Sequence, residues 1–156
     1  MKETIFNVRV YGILINDQQQ LLVTDEYRFE KKITKFLGGG LHFGEGTLDC
    51  IKREMMEETG NETEVIRHFY TTDFFQRSAF NPAQQVIGIY YLVRSLVPIK
   101  IDVKEKPFDF DSLTEGAQVF RWIPLAELKK EDFTFPIDRK VADLLIKYNT
   151  NVSMMQ

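Results

Sequence analysis

The sequence contains little cysteine and little histidine. Among its 156 residues there are one cysteine, Cys50, and two histidines, His42 and His68. A single cysteine excludes an intrachain disulfide framework and a Cys-rich zinc site, and it favours a reducing compartment, so we predict a cytoplasmic protein. The two histidines are too few and too far apart in the sequence for a zinc site. We expect Cys50 to be a small packing residue and not a nucleophile.

The sequence also lacks a long hydrophobic run and a strong charge of one sign. Its longest apolar stretch, VIGIYYLV at residues 86–93, is far shorter than the ~20 residues that cross a bilayer. Polar residues interrupt the apolar residues at the N-terminus, so we expect no signal peptide. The formal net charge of -3 argues against coating nucleic acid or binding an anionic membrane. We therefore predict a soluble protein whose partners include neither a nucleic-acid polymer nor a membrane.

Internal repeats, low-complexity blocks and linkers rich in Pro, Gly or Ser are all missing. Hydrophobic residues make up 44% of the chain and charged residues 28%, which is the composition of an ordinary globular protein. A chain of this length can bury a sizeable core and fits one domain. We predict a single domain over residues 1–156, with a frayed tail from about residue 150 to 156.

Runs of β-branched and aromatic residues predict a series of strands, and apolar residues at helical spacing predict two helices. We predict strands within residues 6–15, 21–27, 33–37, 63–76, 84–97 and 117–125, and a polar loop over residues 100–115. The last helix is predicted to begin with Asp138 as its cap. This alternation predicts a layered α/β fold.

The other helix is predicted between Gly46 and Gly60. Thr47 or Glu45 could cap its start, and glycine is a common residue just beyond a helix end. Spacing by three and four residues places one apolar stripe against the core. The stripe consists of Leu48, Ile51, Met55 and Thr59.

Three glutamates lie close together within this helix, in the segment REMMEETG at residues 53–60. Glu54, Glu57 and Glu58 are three and four residues apart and therefore share one helical face. In an exposed helix each like-charge pair costs about 0.2–0.5 kcal/mol. Beside a cleft wall, at roughly 5 Å and an effective dielectric near 20, Coulomb's law gives about 3 kcal/mol per pair. Two explanations remain open, namely a solvated acidic face and a bound cation.

The glutamates belong to a longer pattern of spacing. Five residues separate Gly39 from Glu45, and seven more separate Glu45 from the Arg53-Glu54 pair, which Glu57-Glu58 and Gly60 follow. This pattern, over residues 39–61, resembles the Nudix box of the Nudix hydrolase family. Asn61 departs from it, because the family usually has an aliphatic residue there. The C-terminal part of the chain resembles MutT-type members more weakly.

The resemblance implies a fold, an activity and a cofactor. The implied fold is a mixed β-sheet sandwiched between helices, and the implied activity is cleavage of a nucleoside diphosphate linked to another group. Mg²⁺ or Mn²⁺ and an attacking water are implied as well, with Glu54, Glu57 and Glu58 as metal ligands. Such hard cations prefer carboxylate oxygens and bridge to phosphate. Glu54 is also a candidate to orient or deprotonate the water.

Further site residues follow from the same resemblance. Arg53 is expected to hold Glu45 and so to brace the loop against the helix. Gly38, Gly39 and Gly40 are expected to let the backbone approach phosphate and to adopt positive φ. Glu115 is the candidate for an additional ligand or general base, with Asp109 and Asp111 as competitors. Asp138 either contacts the nucleotide base or serves only as a helix cap.

The substrate and the functional class have alternatives. An NTP, an oxidised NTP, a nucleotide sugar or a dinucleotide would each suit the predicted hydrolase. The main alternative is a catalytically silent Nudix domain that senses a nucleotide. An isoprenoid-diphosphate isomerase is disfavoured, because that chemistry needs a cysteine outside the box and Cys50 lies inside it. A homodimer is one open alternative for the oligomeric state.

Overall fold

The computed structural model describes residues 4–155, with side chains described through residue 150. The chain forms two compact units. Unit 1 contains the chain up to Leu14 together with Leu37–Ile99, and unit 2 contains Ile15–Phe36 together with the chain from Lys100 onward. Strand β3, Lys31–Gly40, contributes residues to both units.

Unit 1 is built on a four-stranded mixed sheet. Besides the end of β3, its strands are β1 (Ile5–Leu14), β4 (Thr63–Thr71) and β5 (Gln84–Ser95). They hydrogen-bond in the order β4-β5-β1-β3. β1 is parallel to β5 and antiparallel to β3, and β4 is antiparallel to β5. β3 is longer than the sequence predicts, because pairing with β1 keeps the three glycines of residues 38–40 in the ladder.

Helix α1 of unit 1 is Thr47–Thr59. Its N-cap is Gly46, whose backbone N–H donates to the Asp49 carboxylate at 3.3 Å. The predicted caps, Thr47 and Glu45, are therefore wrong. Gly60 ends the helix with a φ of 73°, the left-handed conformation that glycine adopts without steric cost.

The buried face of α1 differs from the prediction at one position. Ile51, Met55 and Thr59 are buried as predicted, whereas Leu48 is 49% exposed and Cys50 is fully buried. The helix packs on β1 and β4, and this packing turns the side of α1 that carries Cys50 inward, leaving Leu48 in the first turn outside.

Unit 2 contains the other sheet. Together with the first residues of β3, its strands are β2 (Gln20–Arg28), β6 (Val103–Lys104) and β7 (Gln118–Pro124). β2 is antiparallel to β3 and β7, and the short β6, within the predicted loop, is parallel to β7. Two 3₁₀ turns follow, Leu125–Glu127 and Lys130–Asp132.

Helix α2 of unit 2 is Pro136–Met155. It begins two residues before Asp138, because proline suits the first helical position, so Asp138 lies inside the first turn and not at the cap. Val141 and Leu145 are buried. We predict a frayed tail over residues 150–156; the helix extends through Met155, and residue 156 lies outside the described residues.

Across the described residues, seven strands pair in the order β4-β5-β1-β3-β2-β7-β6. Parallel and antiparallel pairs both occur. Together with the two α-helices, this mixed sheet confirms the predicted α/β fold class. Neither helix is long and apolar enough, over the part of the chain that is described, to span a membrane.

Candidate active site

Arg53 on α1 links the helix to the preceding loop. Its Nε and Nη2 atoms donate to the two carboxylate oxygens of Glu45 at 3.0 and 2.7 Å. Nη2 also donates to the carbonyl oxygen of Gly40 at 3.1 Å, and the His42 backbone N–H donates to Glu45 at 2.8 Å. One guanidinium therefore joins α1, the loop over residues 41–46 and the end of β3.

This contact keeps both partners charged. The hydrogen bonds from Arg53, followed by the bond from the His42 backbone, lower the pKa of Glu45 to about 2. In the same way, the pKa of the Arg53 guanidinium is raised, chiefly by its bond to Glu45. The pair is therefore fully ionised at neutral pH.

The three box glutamates occupy different surroundings. Arg53 Nη1 donates to Glu54 at 3.0 Å and to Glu57 at 3.2 Å. The Glu54 side chain is 12% exposed and that of Glu57 is 56% exposed. Glu58 accepts a hydrogen bond from the Gly38 backbone N–H at 3.2 Å. Glu45, Glu54 and Glu57 thus contact a single guanidinium, so carboxylate charge exceeds arginine charge at this site.

The glycines at the end of β3 leave room for this arrangement. A Cβ on Gly39 would lie 2.4 Å from Glu54 Oε1, and a Cβ on Gly38 would lie 2.1 Å from the Val10 carbonyl oxygen. Gly38 has a φ of 146°, the positive value predicted, whereas Gly39 and Gly40 do not have positive φ. Close approach of the Val10 backbone therefore requires glycine at position 38, whereas a side chain at position 39 would displace the Glu54 carboxylate.

The donor chemistry fits a hard divalent cation, although the carboxylates are not gathered around one point. Within residues 4–155, no group of three or more His, Cys, Asp or Glu side chains is arranged to hold a metal ion. Glu54 and Glu57 contact Arg53, and Glu58 contacts the Gly38 backbone. Carboxylate oxygens are nevertheless the ligands that Mg²⁺ and Mn²⁺ prefer. Glu54, Glu57 and Glu58 are therefore the residues that could hold such an ion.

The remaining predicted residues belong to unit 2. Glu115 is exposed and accepts a hydrogen bond from the Phe29 backbone N–H at 2.8 Å, at the turn between β2 and β3. Asp109 and Asp111 are also exposed. Asp138 is only 3% exposed. Among these predicted residues, Glu115 is thus accessible but tied to a turn, whereas Asp138 is buried.

Cys50 is enclosed next to the Arg53 contacts. Burial, followed by interaction with Glu45, raises the pKa of its thiol to about 12. A thiol with such a pKa stays protonated at neutral pH, and the thiolate is the nucleophilic form. This environment supports a packing role for Cys50.

Sequence analysis missed a buried ion pair in unit 2. Asp25 is fully buried and accepts two hydrogen bonds from Arg121, at 2.9 and 3.1 Å. The Thr34 hydroxyl and the Phe108 backbone N–H donate to the same carboxylate at 2.6 and 3.2 Å. The available signal was the acidic pair Asp25-Glu26 inside a segment with strand character, because strands seldom carry aspartate without a specific partner.

Comparison with protein families identifies one family for this chain. The family model described as the NUDIX domain matches residues 6–145, which is most of the chain and includes residues from both units.

Solved structures share the fold at low sequence identity. A NUDIX hydrolase from Nitrosomonas europaea is 19% identical, with a TM-score of 0.67 over 93% of this chain and 89% of that one. A MutT protein from Methanosarcina mazei is 17% identical, with a TM-score of 0.69 over 96% and 99%. An ADP-ribose pyrophosphatase from Streptococcus suis is 14% identical, with a TM-score of 0.59 over 92% and 91%. At such identities the likeness establishes the fold alone.

Proposed function

The chain belongs to the Nudix family, and from this premise we propose that it is a metal-dependent hydrolase of nucleotide derivatives. The Nudix hydrolase class predicted from the box is confirmed at the level of the family. The proposed reaction is attack of water on the pyrophosphate bond of a nucleoside diphosphate linked to another group. The observation that carries this proposal is the accessible excess of carboxylate around Arg53 and the glycines of β3.

The box residues have distinct roles in the proposed reaction. Glu54, Glu57 and Glu58 would hold Mg²⁺ or Mn²⁺, which when bound neutralises phosphate charge and lowers the pKa of a water. Glu54 is the proposed residue to orient or deprotonate the attacking water. Arg53 and Glu45 keep the loop over residues 41–46 against α1.

Glu115 and Asp138 are proposed with alternative roles. Glu115 is an additional ligand or general base, or it only ties the turn at Phe29. The Glu115→Gln variant separates these roles, because the amide oxygen still accepts the Phe29 hydrogen bond but the side chain no longer takes up a proton. Asp138, buried in α2, either contacts the base of the nucleotide or supports the first turn of the helix.

The substrate class is the nucleoside diphosphate derivatives. Proteins of similar fold are named MutT protein and ADP-ribose pyrophosphatase, and these names support testing NTPs, oxidised NTPs, nucleotide sugars and dinucleotides. We also propose that the two units act together as one Nudix domain, because the family match spans residues 6–145.

A substrate panel tests the proposed function. Purified protein with Mg²⁺ or Mn²⁺ is incubated with members of each substrate class, and the products are separated by chromatography. We expect turnover of one class, loss of turnover with EDTA, and a decrease of about 100-fold or more in Glu58→Gln, the size of effect seen when a key charge-stabilising group is removed. Glu64→Gln is the matched control, because Glu64 is an exposed glutamate of unit 1 that pairs with Arg94.

Two results would contradict the proposal. Full turnover by Glu57→Gln and Glu58→Gln would refute the assignment of these residues as metal ligands. A nucleotide bound stoichiometrically and recovered unchanged after prolonged incubation with Mg²⁺ would instead favour the sensor.

A further inference from the structure

A groove of unit 1 lies between helix α1 and the edge of the sheet. β4 is the outermost strand, and α1 packs beside it. The groove has a volume of about 730 Å³ and is open to a molecule that contacts a helix and a strand edge at once. Its lining includes a row of α1, the start of β4 and the residue after β5, namely Leu48, Lys52, Met56, Thr63, Val65 and Leu96.

The first residues of β4 have backbone groups that point out of the sheet. The Leu96 N–H donates to the Glu62 carbonyl oxygen at 3.2 Å, so the backbone of Glu62 pairs inward. In an antiparallel pair, hydrogen-bonded and non-hydrogen-bonded positions alternate. Thr63 and Val65 therefore direct their N–H and C=O groups to the open edge, where a further strand can pair with them. A register shift between Val65 and Arg67 ends this regular stretch.

Thr63 and Val65 turn their side chains toward α1. Val65 is opposite Val93 in the sheet, and Val93 lies beside Gly12 together with side chains of α1. Residues two apart on a strand share a face, so Thr63 faces α1 as well. Its hydroxyl oxygen is buried and, among the described side chains, has no hydrogen-bond partner. A serine or threonine of an added strand, opposite Thr63, would supply one.

The two faces of this strand edge carry charges of opposite sign. On the α1 side, Lys52 is exposed and makes no ion pair in the described part of the chain. Alternation along the strand directs Glu62 and Glu64 to the face away from α1. Glu64 pairs with Arg94, whereas Glu62 is exposed and without an ion pair among the described side chains. A strand that carried an acidic side chain toward α1 and a basic one on its other face would complement both.

We propose that the edge of β4 binds an extended peptide segment of a partner protein, which adds a strand antiparallel to β4 and beside α1. Main-chain groups at the start of β4 provide the hydrogen bonds, the mode in which peptides extend a sheet. The α1 face of the segment carries apolar and acidic side chains, which meet Lys52 and the exposed Leu48 and Met56. Its other face carries a basic side chain that meets Glu62.

This partner site leaves the box glutamates accessible. Lys52 and Glu54 are two positions apart and so lie on nearly opposite sides of α1. Glu54 approaches Gly39 on β3, and β3 lies at the other end of the unit 1 sheet from β4. A bound peptide therefore does not displace the proposed metal ligands, and the inference stands apart from the proposed function.

Titration with a designed peptide, followed by nuclear magnetic resonance, tests the proposal. The probe is Val-Lys-Glu-Lys-Thr-Lys with blocked ends, which as a strand has Val, Glu and Thr on one face and lysines on the other. The control peptide, Val-Glu-Lys-Lys-Thr-Lys, has the same composition and net charge. We expect the probe to shift the backbone amide signals of Thr63 and Val65. It should bind about 10-fold more tightly than the control, because two charged positions of the control meet like charges.

Lys52→Glu tests the charge recognition, because it reverses the charge on the α1 side of the groove. We expect the preference for the probe over the control peptide to fall by about 2- to 30-fold, the effect of changing one exposed pair from attraction to repulsion. Lys140→Glu is the matched control, because Lys140 is an exposed lysine of α2 that does not line the groove. Its preference should equal that of the unaltered protein.

Val65→Pro tests the main-chain pairing, because proline has no N–H to donate to the added strand. We expect the probe to bind about 2- to 10-fold more weakly, the value of one hydrogen bond expressed as affinity. Val65→Thr keeps the N–H and the branched side chain, so it should bind the probe as the unaltered protein does.

Three results would overturn the proposal. The first is unchanged amide signals of Thr63 and Val65 in the unaltered protein with the probe at millimolar concentration. The second is equal affinity for the probe and the control peptide, or an equal preference in Lys52→Glu and the unaltered protein. The third is self-association of the protein alone in sedimentation that Val65→Pro abolishes, because a second copy of the chain would then occupy the edge.

Discussion

Two arginines of this protein pair with carboxylates in different surroundings. In unit 1, Arg53 contacts Glu45, Glu54 and Glu57, and its side chain is 25% exposed. In unit 2, Arg121 contacts the single carboxylate of Asp25, whose side chain is 0% exposed. One cluster is accessible and carries an excess of negative charge, whereas the other is buried and balanced.

Desolvation explains the difference between the two clusters. A buried charge without a partner costs several kcal/mol, so a buried cluster must be neutral and hydrogen-bonded. Asp25 meets this requirement with donors from Arg121, Thr34 and the Phe108 backbone. Water screens the cluster around Arg53, which therefore tolerates excess carboxylate that a cation can use. The comparison indicates a structural role for the Arg121 cluster, whereas the Arg53 cluster keeps an excess of negative charge.

The largest expected effect is a loss of folding stability when the buried ion pair of Asp25 and Arg121 is broken. We expect Asp25→Ala to lower the free energy of unfolding by about 3–5 kcal/mol, because it leaves the Arg121 guanidinium buried without its carboxylate. Urea denaturation followed by circular dichroism measures this. The control, Glu64→Ala, breaks an exposed ion pair and should cost about 0–1 kcal/mol. A loss in Asp25→Ala no larger than in the control would remove the distinction between the clusters.

A smaller effect on stability is expected when a divalent metal ion binds at the accessible cluster around Arg53. A ligand that binds only the folded state at 100 times its dissociation constant stabilises by about 2.7 kcal/mol, so saturating Mg²⁺ should raise the denaturation midpoint. EDTA should reverse the change, and Glu58→Gln should reduce it. An equal increase in Glu58→Gln would place the metal elsewhere, and midpoints that do not respond to Mg²⁺ would contradict the metal site itself.

The smallest effect expected is the pH dependence of the contact between Glu45 and Arg53. The pKa of Glu45, about 2, lies below its ordinary value of 4.5. The stabilisation from this contact is therefore fully present above about pH 4.5 and is lost as the pH falls through about 2. Melting temperatures of the unaltered protein and Glu45→Gln should therefore differ by a constant amount from pH 7 to about pH 4.5. The two melting temperatures should converge below about pH 4.5. A difference that already disappears between pH 7 and 5 would contradict the lowered pKa.

Much of unit 1 was predictable from local spacing. The strands, the helix ending at Gly60 and the shared face of Glu54, Glu57 and Glu58 all depend on residues within a few positions of one another. The error in the helix concerned which positions are buried. Leu48 is exposed and Cys50 is buried, because the position of α1 on the sheet, and not the helical period alone, selects the buried stripe.

One departure from the family pattern shows what packing adds. Asn61 departs from the box pattern, and its polar side chain cannot make the apolar contact of an aliphatic residue. Its side-chain amide instead donates to Ser95 Oγ at 3.0 Å and to the Val97 and Pro98 carbonyls at 3.3 Å each. Hydrogen bonds across 34 or more positions of sequence thus replace the apolar contact.

Periodicity and motif spacing are properties of neighbouring residues, so the sequence was enough to predict the α/β class, the Nudix family and the carboxylate-rich face of α1. The pairing of charges could be seen in the fold alone. Asp25 and Arg121 are 96 positions apart, and Glu64 meets Arg94 only through strand pairing. Such partners depend on the register of distant strands, which no short stretch of sequence encodes.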